Sequence, residues 1–253
     1  MKFSRILLIP ALAATLFISA CKEDLPGTGT LSVELEHLFD TKALELNTAT
    51  PYVSGSAEEI TFTTFKYYIS NVRLQKADGT EWAEPESYRL IDLANAASTL
   101  MTFDSVPEGE YTGITFTIGV DSLRNVSGAQ TGALSPSNEM FWSWNSGYIF
   151  LKAEGNSPQA SGGKFEFHIG GFRNANNTNA LQEVEISFGG ESLKTGSKEE
   201  PELHLSVNAK EFFDGHHTAL KLAELSVVHM PGADAIEIAE NYHAMFEFEH
   251  IHQ

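Results

Sequence analysis

Alternation of apolar and polar residues with a period of two recurs along this chain and most constrains how it can fold. In residues 30–39 it places Leu31, Val33 and Leu35 on one face. This is the period of a β-strand, whose successive side chains point to opposite faces. Similar segments are 59–74, 88–93, 147–154, 164–169, 181–188 and 202–207, and 103–118 is predicted to contain a hairpin that turns at 106–109. Short strands at this spacing predict an all-β fold, an antiparallel immunoglobulin-like β-sandwich.

Two segments interrupt this pattern. Residues 121–139 are rich in Ser, Gly and Asn and are predicted to form a long irregular loop, which in a domain is usually functional or mobile. Residues 209–253 mix apolar residues with histidines, and 233–245 have acidic residues in the first turn of a predicted helix. We therefore expect a partly helical C-terminal appendage on the sandwich.

The N-terminus has the three parts of a secretory signal. Lys2 and Arg5 precede an apolar run that is shorter than the roughly 20 residues of a spanning helix. Ile18-Ser19-Ala20-Cys21 resembles the lipobox of bacterial lipoproteins, in which the cysteine becomes lipidated. Predicted boundaries are a signal peptide over 1–20, a lipidated tether over 21–30 and one domain over 31–253. A retained transmembrane anchor is the alternative.

The lipobox and the tether that follows it predict an outer-membrane lipoprotein anchored through its N-terminal lipid. Lys22-Glu23-Asp24 resembles the surface-export signal of some Gram-negative lipoproteins, although a solvated tether explains it equally well. The periplasmic and cell-surface faces of the membrane therefore both stay open.

Charge and cysteine content exclude several classes of function. The formal net charge of −18 repels phosphates, so no nucleic acid is expected as a partner. Cys21 is the only cysteine, and its lipidation leaves no thiol for a disulfide, a metal site or a nucleophile. The chain has no Gly-rich phosphate loop, HExxH or Gly-x-Ser-x-Gly motif, which indicates a protein that is not an enzyme.

Aromatic residues and histidines are the candidates for chemistry. Trp142 and Trp144 would point to the same side of a strand, as core residues or as a functional pair. His168 is predicted to point to the face of its strand opposite that of the neighbouring Phe167, and His37 is predicted to share a face with Leu35. Each histidine is either a hydrogen-bonded structural residue or a metal ligand.

Histidines are also frequent near the C-terminus. They match no zinc motif, so they are either exposed polar sequence or a weak metal site. His250 and His252 have the spacing that lets both point one way on a strand. The histidines concerned are His216, His217, His229, His243, His250 and His252.

Six segments in this order resemble the MbnP family, over about residues 37–246. The Trp-x-Trp-x-x-Gly-Tyr run is the most specific part of the resemblance. The segments are 67–74 (YYISNVRL), 88–92 (YRLID), 106–111 (VPEGEY), 116–121 (FTIGVD), 140–148 (MFWSWNSGY) and 167–171 (FHIGG).

The resemblance implies a periplasmic or lipid-anchored copper-binding protein whose partner is a di-haem enzyme of the MauG and cytochrome c peroxidase type. It implies Cu(I) held by histidines and by a kynurenine that the partner makes from a tryptophan. His168 matches the histidine of the family's His-x-Gly motif, Trp142 and Trp144 match its paired tryptophans, and His37 is a looser match. The better-known branch carries four cysteines that are absent here, so features that depend on them do not transfer.

Two other functions fit the same residues. A surface-anchored sandwich could dock another envelope protein, with its aromatic residues purely structural. Alternatively, Trp142 and Trp144 could form a platform for a sugar ring in a carbohydrate-binding module.

Overall fold

The computed structural model describes residues 27–128, 130–142, 147–173, 178–215 and 217–253. The predicted signal peptide, Cys21, Trp144 and His216 lie outside the described residues. No helix in the described part of the chain is long and apolar enough to cross a membrane.

Strands account for most of the regular structure in the described residues. They are β1 (Thr28–Phe39), β2 (Lys42–Ala43), β3 (Tyr52–Val53), β4 (Glu59–Gln75), β5 (Glu81–Ala83), β6 (Tyr88–Asp92), β7 (Leu100–Pro107), β8 (Gly109–Tyr111), β9 (Gly113–Ile118), β10 (Phe141–Trp142), β11 (Gly147–Tyr148), β12 (Leu151–Asn156), β13 (Lys164–Ile169), β14 (Phe172–Arg173), β15 (Thr178–Asn179), β16 (Gln182–Ser187), β17 (Leu193–Thr195), β18 (Glu202–Asn208), β19 (Val227–Val228) and β20 (Phe246–His252). The α-helices are α1 (Ser122–Asn125), α2 (Lys210–Asp214) and α3 (Ala233–Tyr242), and 3-10 turns cover Ala96–Thr99, Gly132–Leu134, Pro136–Asn138, Ser161–Gly163 and His243–Met245.

Two sheets form the body of the fold. Sheet I has the strand order β2-β1-β18-β20, and β7 pairs with the N-terminal part of β1. Sheet II has the order β16-β9-β4-β12-β13-β19, with β3, β5 and β6 also paired to the long strand β4. Three small two-stranded sheets, β10-β11, β14-β15 and β8-β17, complete the described strands.

Aromatic side chains fill the space between the sheets. Phe39 of sheet I contacts Phe62 of sheet II with ring centroids 6.2 Å apart. Phe246 of sheet I lies 5.8 Å from Tyr67 and 5.1 Å from Phe116 of sheet II. Each such buried ring contributes about 1.5–3 kcal/mol through the hydrophobic effect. The described residues contain no cysteine, so this packing replaces any disulfide.

The all-β sandwich predicted from the sequence is confirmed. Most strand pairs are antiparallel, but β1–β18 and β13–β19 are parallel. The hairpin predicted in residues 103–118 is wrong, because β7 pairs with β1 in sheet I while β9 pairs with β4 and β16 in sheet II. The turn therefore carries the chain from one sheet to the other, and alternation alone does not say which partner a strand takes.

The irregular segment 121–139 packs against sheet II. It contains α1 and two 3-10 turns, and Asp121 caps α1 by accepting a hydrogen bond of 2.9 Å from the backbone of Leu123. The hydroxyl of Tyr68 donates to the carbonyl of Ala133 (2.9 Å), and that of Tyr148 to the carbonyl of Leu134 (2.8 Å). The segment thus covers tyrosines that would otherwise face solvent.

The C-terminal region is more closely integrated than an appendage. The predicted helix is present as α3, followed by the 3-10 turn His243–Met245. The chain then re-enters the sandwich, because β20 pairs antiparallel with β18 in sheet I. The alternation of Phe246-Glu247-Phe248 does have the period of a strand, but the segment is only seven residues long and follows a helix and a 3-10 turn directly, so it was grouped with them.

Gly155 lies where β12 passes between β4 and β13. The register of β12 against β4 shifts at Glu154 and Gly155. A Cβ on Gly155 would lie 2.2 Å from the carbonyl oxygen of Thr61 and 2.5 Å from the ring of Phe165. Only glycine therefore fits this crossing without displacing a backbone and a core ring.

We expect Gly155→Ala to lower the free energy of unfolding by about 1–3 kcal/mol, as overpacking of a core does. Urea unfolding followed by tryptophan fluorescence measures this loss. Asn156→Ala, at the exposed next position of β12, is the control and should change stability by less than about 0.5 kcal/mol. Equal effects of the two substitutions would contradict the steric explanation.

Candidate metal centre

His37 lies between the two sheets and is only 7% exposed. In its neutral form, Nδ1–H donates to the carbonyl of Leu35 (3.1 Å) and Nε2 accepts from the hydroxyl of Tyr67 (2.9 Å). Burial lowers the pKa of His37 to about 4, although the Leu35 hydrogen bond opposes the shift. Both ring nitrogens are therefore engaged within the protein, as in a structural histidine.

His168 lies on the opposite face of sheet II. Tyr67, Leu151 and Ile169 are paired with one another across β4, β12 and β13, and they face the core. The next pair, Lys152 and His168, points to the outer side. The structure therefore does not bring His37 and His168 together. A role for His37 as a copper ligand stays a prediction, and it would require the ring to leave both of its hydrogen bonds.

A carboxylate orients the His168 ring. The Nε2–H group of His168 donates a hydrogen bond of 2.7 Å to Oε1 of Glu154. Burial lowers the pKa of His168, the hydrogen bond to Glu154 opposes this, and the positive charge of Lys152 lowers it further. The imidazole is consequently neutral near pH 7, and Nδ1 carries the lone pair that a metal ion needs.

His229 stacks on His168, with ring centroids 4.4 Å apart and planes at 24°. Strand β19 pairs in parallel with β13, Val228 opposite Phe167, so the next residue falls beside His168. The Nε2 atom of His229 lies 3.0 Å from a carboxylate oxygen of Glu166. The sequence does not connect His229 to His168, because a two-residue strand gives no local signal of its partner; His229 was predicted only as one of the C-terminal histidines.

Trp142 packs against Gly170, two residues beyond His168. The indole is 6% exposed, and its Cζ3 and Cη2 atoms lie 2.9 and 3.0 Å from the position of a Cβ on Gly170. The His-x-Gly spacing thus has a physical reason, since the glycine leaves room for the tryptophan. We call His168, His229, Glu154 and Glu166 the outer-face site; Trp142 is a buried neighbour of Gly170.

The donor types of the outer-face site are ones that copper accepts. Each of the two imidazoles has its Nε2 atom against a carboxylate, the arrangement in which proteins usually hold a metal-ligating histidine. Cu(I) accepts imidazole nitrogen, and its selectivity depends on ligand type and geometry. His168 and His229 would hold the ion, with Glu154 and Glu166 orienting the rings.

Ligand atoms converge more closely at another place. Among the described residues, groups of at least three His, Cys, Asp or Glu ligand atoms within 4.8 Å of one another occur at His204, His250 and His252, and at Glu34, Glu202 and His204. Sequence analysis named His250 and His252 but not His204. Only the pairing of β18 with β20 reveals that third histidine.

Comparison with known proteins now gives the family. The model of the MbnP family matches residues 28–230. This chain belongs to the MbnP family. It is also similar to the solved structure of MbnP from Methylosinus trichosporium, with 15% sequence identity, a TM-score of 0.49 and coverage of 81% of this chain and 83% of the other. No curated protein matches the chain.

Membership of the MbnP family confirms the resemblance seen in the sequence. The matched range contains His37, Trp142, His168, His204 and His229. It ends before α3 and β20, so His250 and His252 lie beyond the part that matches the family model.

The buried His37 makes the stability of the protein depend on pH. The unfolded chain binds a proton on this residue near pH 6.5, whereas the folded protein does so only near pH 4. The unfolded state therefore binds more protons between these values, and stability falls as the pH decreases. Between about pH 7 and about pH 5, His37 should account for a loss of about 2 kcal/mol.

His37→Gln should remove this part of the loss, because glutamine does not titrate. We expect urea unfolding at both pH values to show a smaller decrease for His37→Gln than for the wild type. His243→Gln, at an exposed position of the last 3-10 turn, should keep the wild-type decrease. A decrease in His37→Gln as large as that of the wild type would show that His37 does not carry the effect.

Proposed function

We propose that this MbnP-family protein is an extracytoplasmic copper-binding lipoprotein that holds Cu(I) at the outer-face site. The supporting observation is the neutral His168, oriented by Glu154, stacked on His229 and two residues from the glycine on which Trp142 packs. Copper, when bound, supplies a soft, redox-active centre that can be stored or transferred.

The residues around His168 prepare it as a ligand. Glu154 fixes the tautomer by accepting from Nε2–H, and Thr64 in turn donates to Glu154 over 3.0 Å. Partial burial and the ammonium of Lys152 disfavour protonation of the ring. A proton that would compete with an ion for Nδ1 is therefore kept away at neutral pH.

The second part of the proposal concerns a partner enzyme. We propose that a di-haem protein of the MauG and cytochrome c peroxidase type oxidises Trp142 or Trp144 to kynurenine. Kynurenine carries an aromatic amine and a ketone, whereas the indole is a poor ligand. The packing of Trp142 against Gly170, two residues from His168 in sequence, supports this part of the proposal.

The protein acts in this proposal as a non-catalytic substrate and copper carrier. It is tethered to the outer membrane through the lipid on Cys21, on the periplasmic or the cell-surface side. The burial of Trp142 argues against a sugar-binding platform at this residue, because such a platform needs an open ring face.

Cu(I) binding tests the site. We expect His168→Gln and His229→Gln each to weaken Cu(I) binding at least ten-fold, and Glu154→Gln to weaken it by about 10–100-fold through loss of ring orientation. Competition of the mature protein with a colorimetric Cu(I) chelator measures the affinity. His243→Gln is the matched control and should bind as the wild type does. Unchanged affinity in all three site variants would reject the outer-face site.

Mass spectrometry tests the partner. After co-expression with a di-haem MauG-like enzyme, the peptide containing Trp142 and Trp144 should carry the mass change of kynurenine. Trp82 in β5 is the third tryptophan of the chain and serves as the internal control, which should stay unmodified. An unmodified 142–144 peptide, together with absent copper binding, would favour a docking module for another envelope protein.

A further inference from the structure

A β-bulge in the C-terminal strand turns two histidines to the outside of sheet I. Strand β20 pairs Phe248 with Leu205 and then His250 with His204, so Glu249 is an extra residue. Continued alternation would have placed His250 on the same side as Phe246 and Phe248. The bulge directs Ile251 inward, opposite the buried Leu203, and sends both histidines outward.

The turned histidines meet a third one on the neighbouring strand. His204 and His250 are paired in register, and their rings stack with centroids 4.2 Å apart and planes at 12°. The Nε2 atoms of His250 and His252 lie 3.2 Å apart. Two imidazoles on one tetrahedral ion, with bonds of about 2.0–2.1 Å, have nitrogens about 3.3 Å apart. The pair already has this spacing.

His204 has a nitrogen without a hydrogen-bond partner. Its Nδ1 lies 3.1 Å from a carboxylate oxygen of Glu34. The buried Nε2 lies 3.0 Å from Oε1 of Glu202, yet it makes no hydrogen bond. A buried ring nitrogen without a hydrogen bond is costly, and a metal ion between the histidines would satisfy it.

We propose that His204, His250 and His252 form a second metal site, for a divalent ion of the zinc and copper(II) class. Glu34 and Glu202 lie against the ring nitrogens of His204 and add negative charge beside the ion. Three imidazoles with carboxylates nearby, and no thiolate, suit such borderline ions. The exposed rings of His250 and His252 leave the site open to entry from solvent.

The second site is separate from the outer-face site in position and in chemistry. It lies on sheet I, whereas His168 lies on sheet II. Two of its three histidines are in β20, beyond the part of the chain that matches the family model. An ion there would connect β18 to β20, the last strand in the order of sheet I, and would fasten the C-terminal end of the chain.

Zinc titration tests this proposal. Isothermal titration calorimetry with Zn²⁺ is carried out on the full mature chain carrying His168→Gln, so that the outer-face site does not contribute. We expect one equivalent of Zn²⁺ to bind. The Zn²⁺ affinity should fall at least ten-fold when His204→Gln, His250→Gln or His252→Gln is added. Adding His243→Gln instead is the matched control and should leave Zn²⁺ affinity unchanged.

Thermal unfolding gives a second measurement. Zn²⁺ should raise the melting temperature of the wild type and of His168→Gln, but not that of the His250→Gln and His252→Gln double variant. Both residues are exposed, so this variant should fold. Full retention of Zn²⁺ binding in it would overturn the proposal. An unchanged Zn²⁺ affinity in a folded His204→Gln protein would also overturn it, because Zn²⁺ would then be bound only by the exposed pair His250 and His252.

Failure here and failure of the proposed function are distinguishable. The copper experiment depends on His168 and His229, and the zinc experiment is performed with His168 already replaced. Either site can therefore be rejected while the other stands.

Discussion

Packing of aromatic rings between two sheets is the interaction on which the rest of this structure depends. Phe39 contacts Phe62, and Phe246 contacts Tyr67 and Phe116 across the interior; no disulfide in the described residues supplements them. An interior that stabilises the fold by itself has little room for unpaired polar groups. Among the described residues, His37 is the only buried histidine; it is neutral and hydrogen-bonded at both ring nitrogens. The candidate ligand groups consequently lie on the outer faces of the sheets.

Both candidate sites use the same structural device, although they share no residue. In each, strand pairing brings histidines that are far apart in sequence into ring contact, as β13 and β19 do for His168 and His229, and β18 and β20 for His204 and His250. Carboxylates from the same or neighbouring strands then lie against the ring nitrogens. A pleated surface suits this purpose because in-register side chains lie close together on one face.

The sequence predicted the strands well and their partners poorly. Alternation located β1, β4, β13, β16 and β18 within about two residues, because burial of one face imposes the period. It also placed His168 correctly on the side opposite Phe167. It could not show that β7 and β9 belong to different sheets, or that the two-residue β19 would bring His229 to His168. The bulge at Glu249 reverses the phase of β20, so a strict period of two assigns His250 and His252 to the wrong face.

The position of β1 has a mechanical consequence. The strand begins at Thr28, within the last three residues of the predicted tether, and it has neighbours along both edges, β18 on one and β7 and β2 on the other. In the anchored form that we propose, a pull from the membrane would enter the domain through this strand. Because β18 is paired with it from Ser32 to Leu38, the force would be shared among several hydrogen bonds. The proposed tether would thus be attached to a part of the molecule that resists extension.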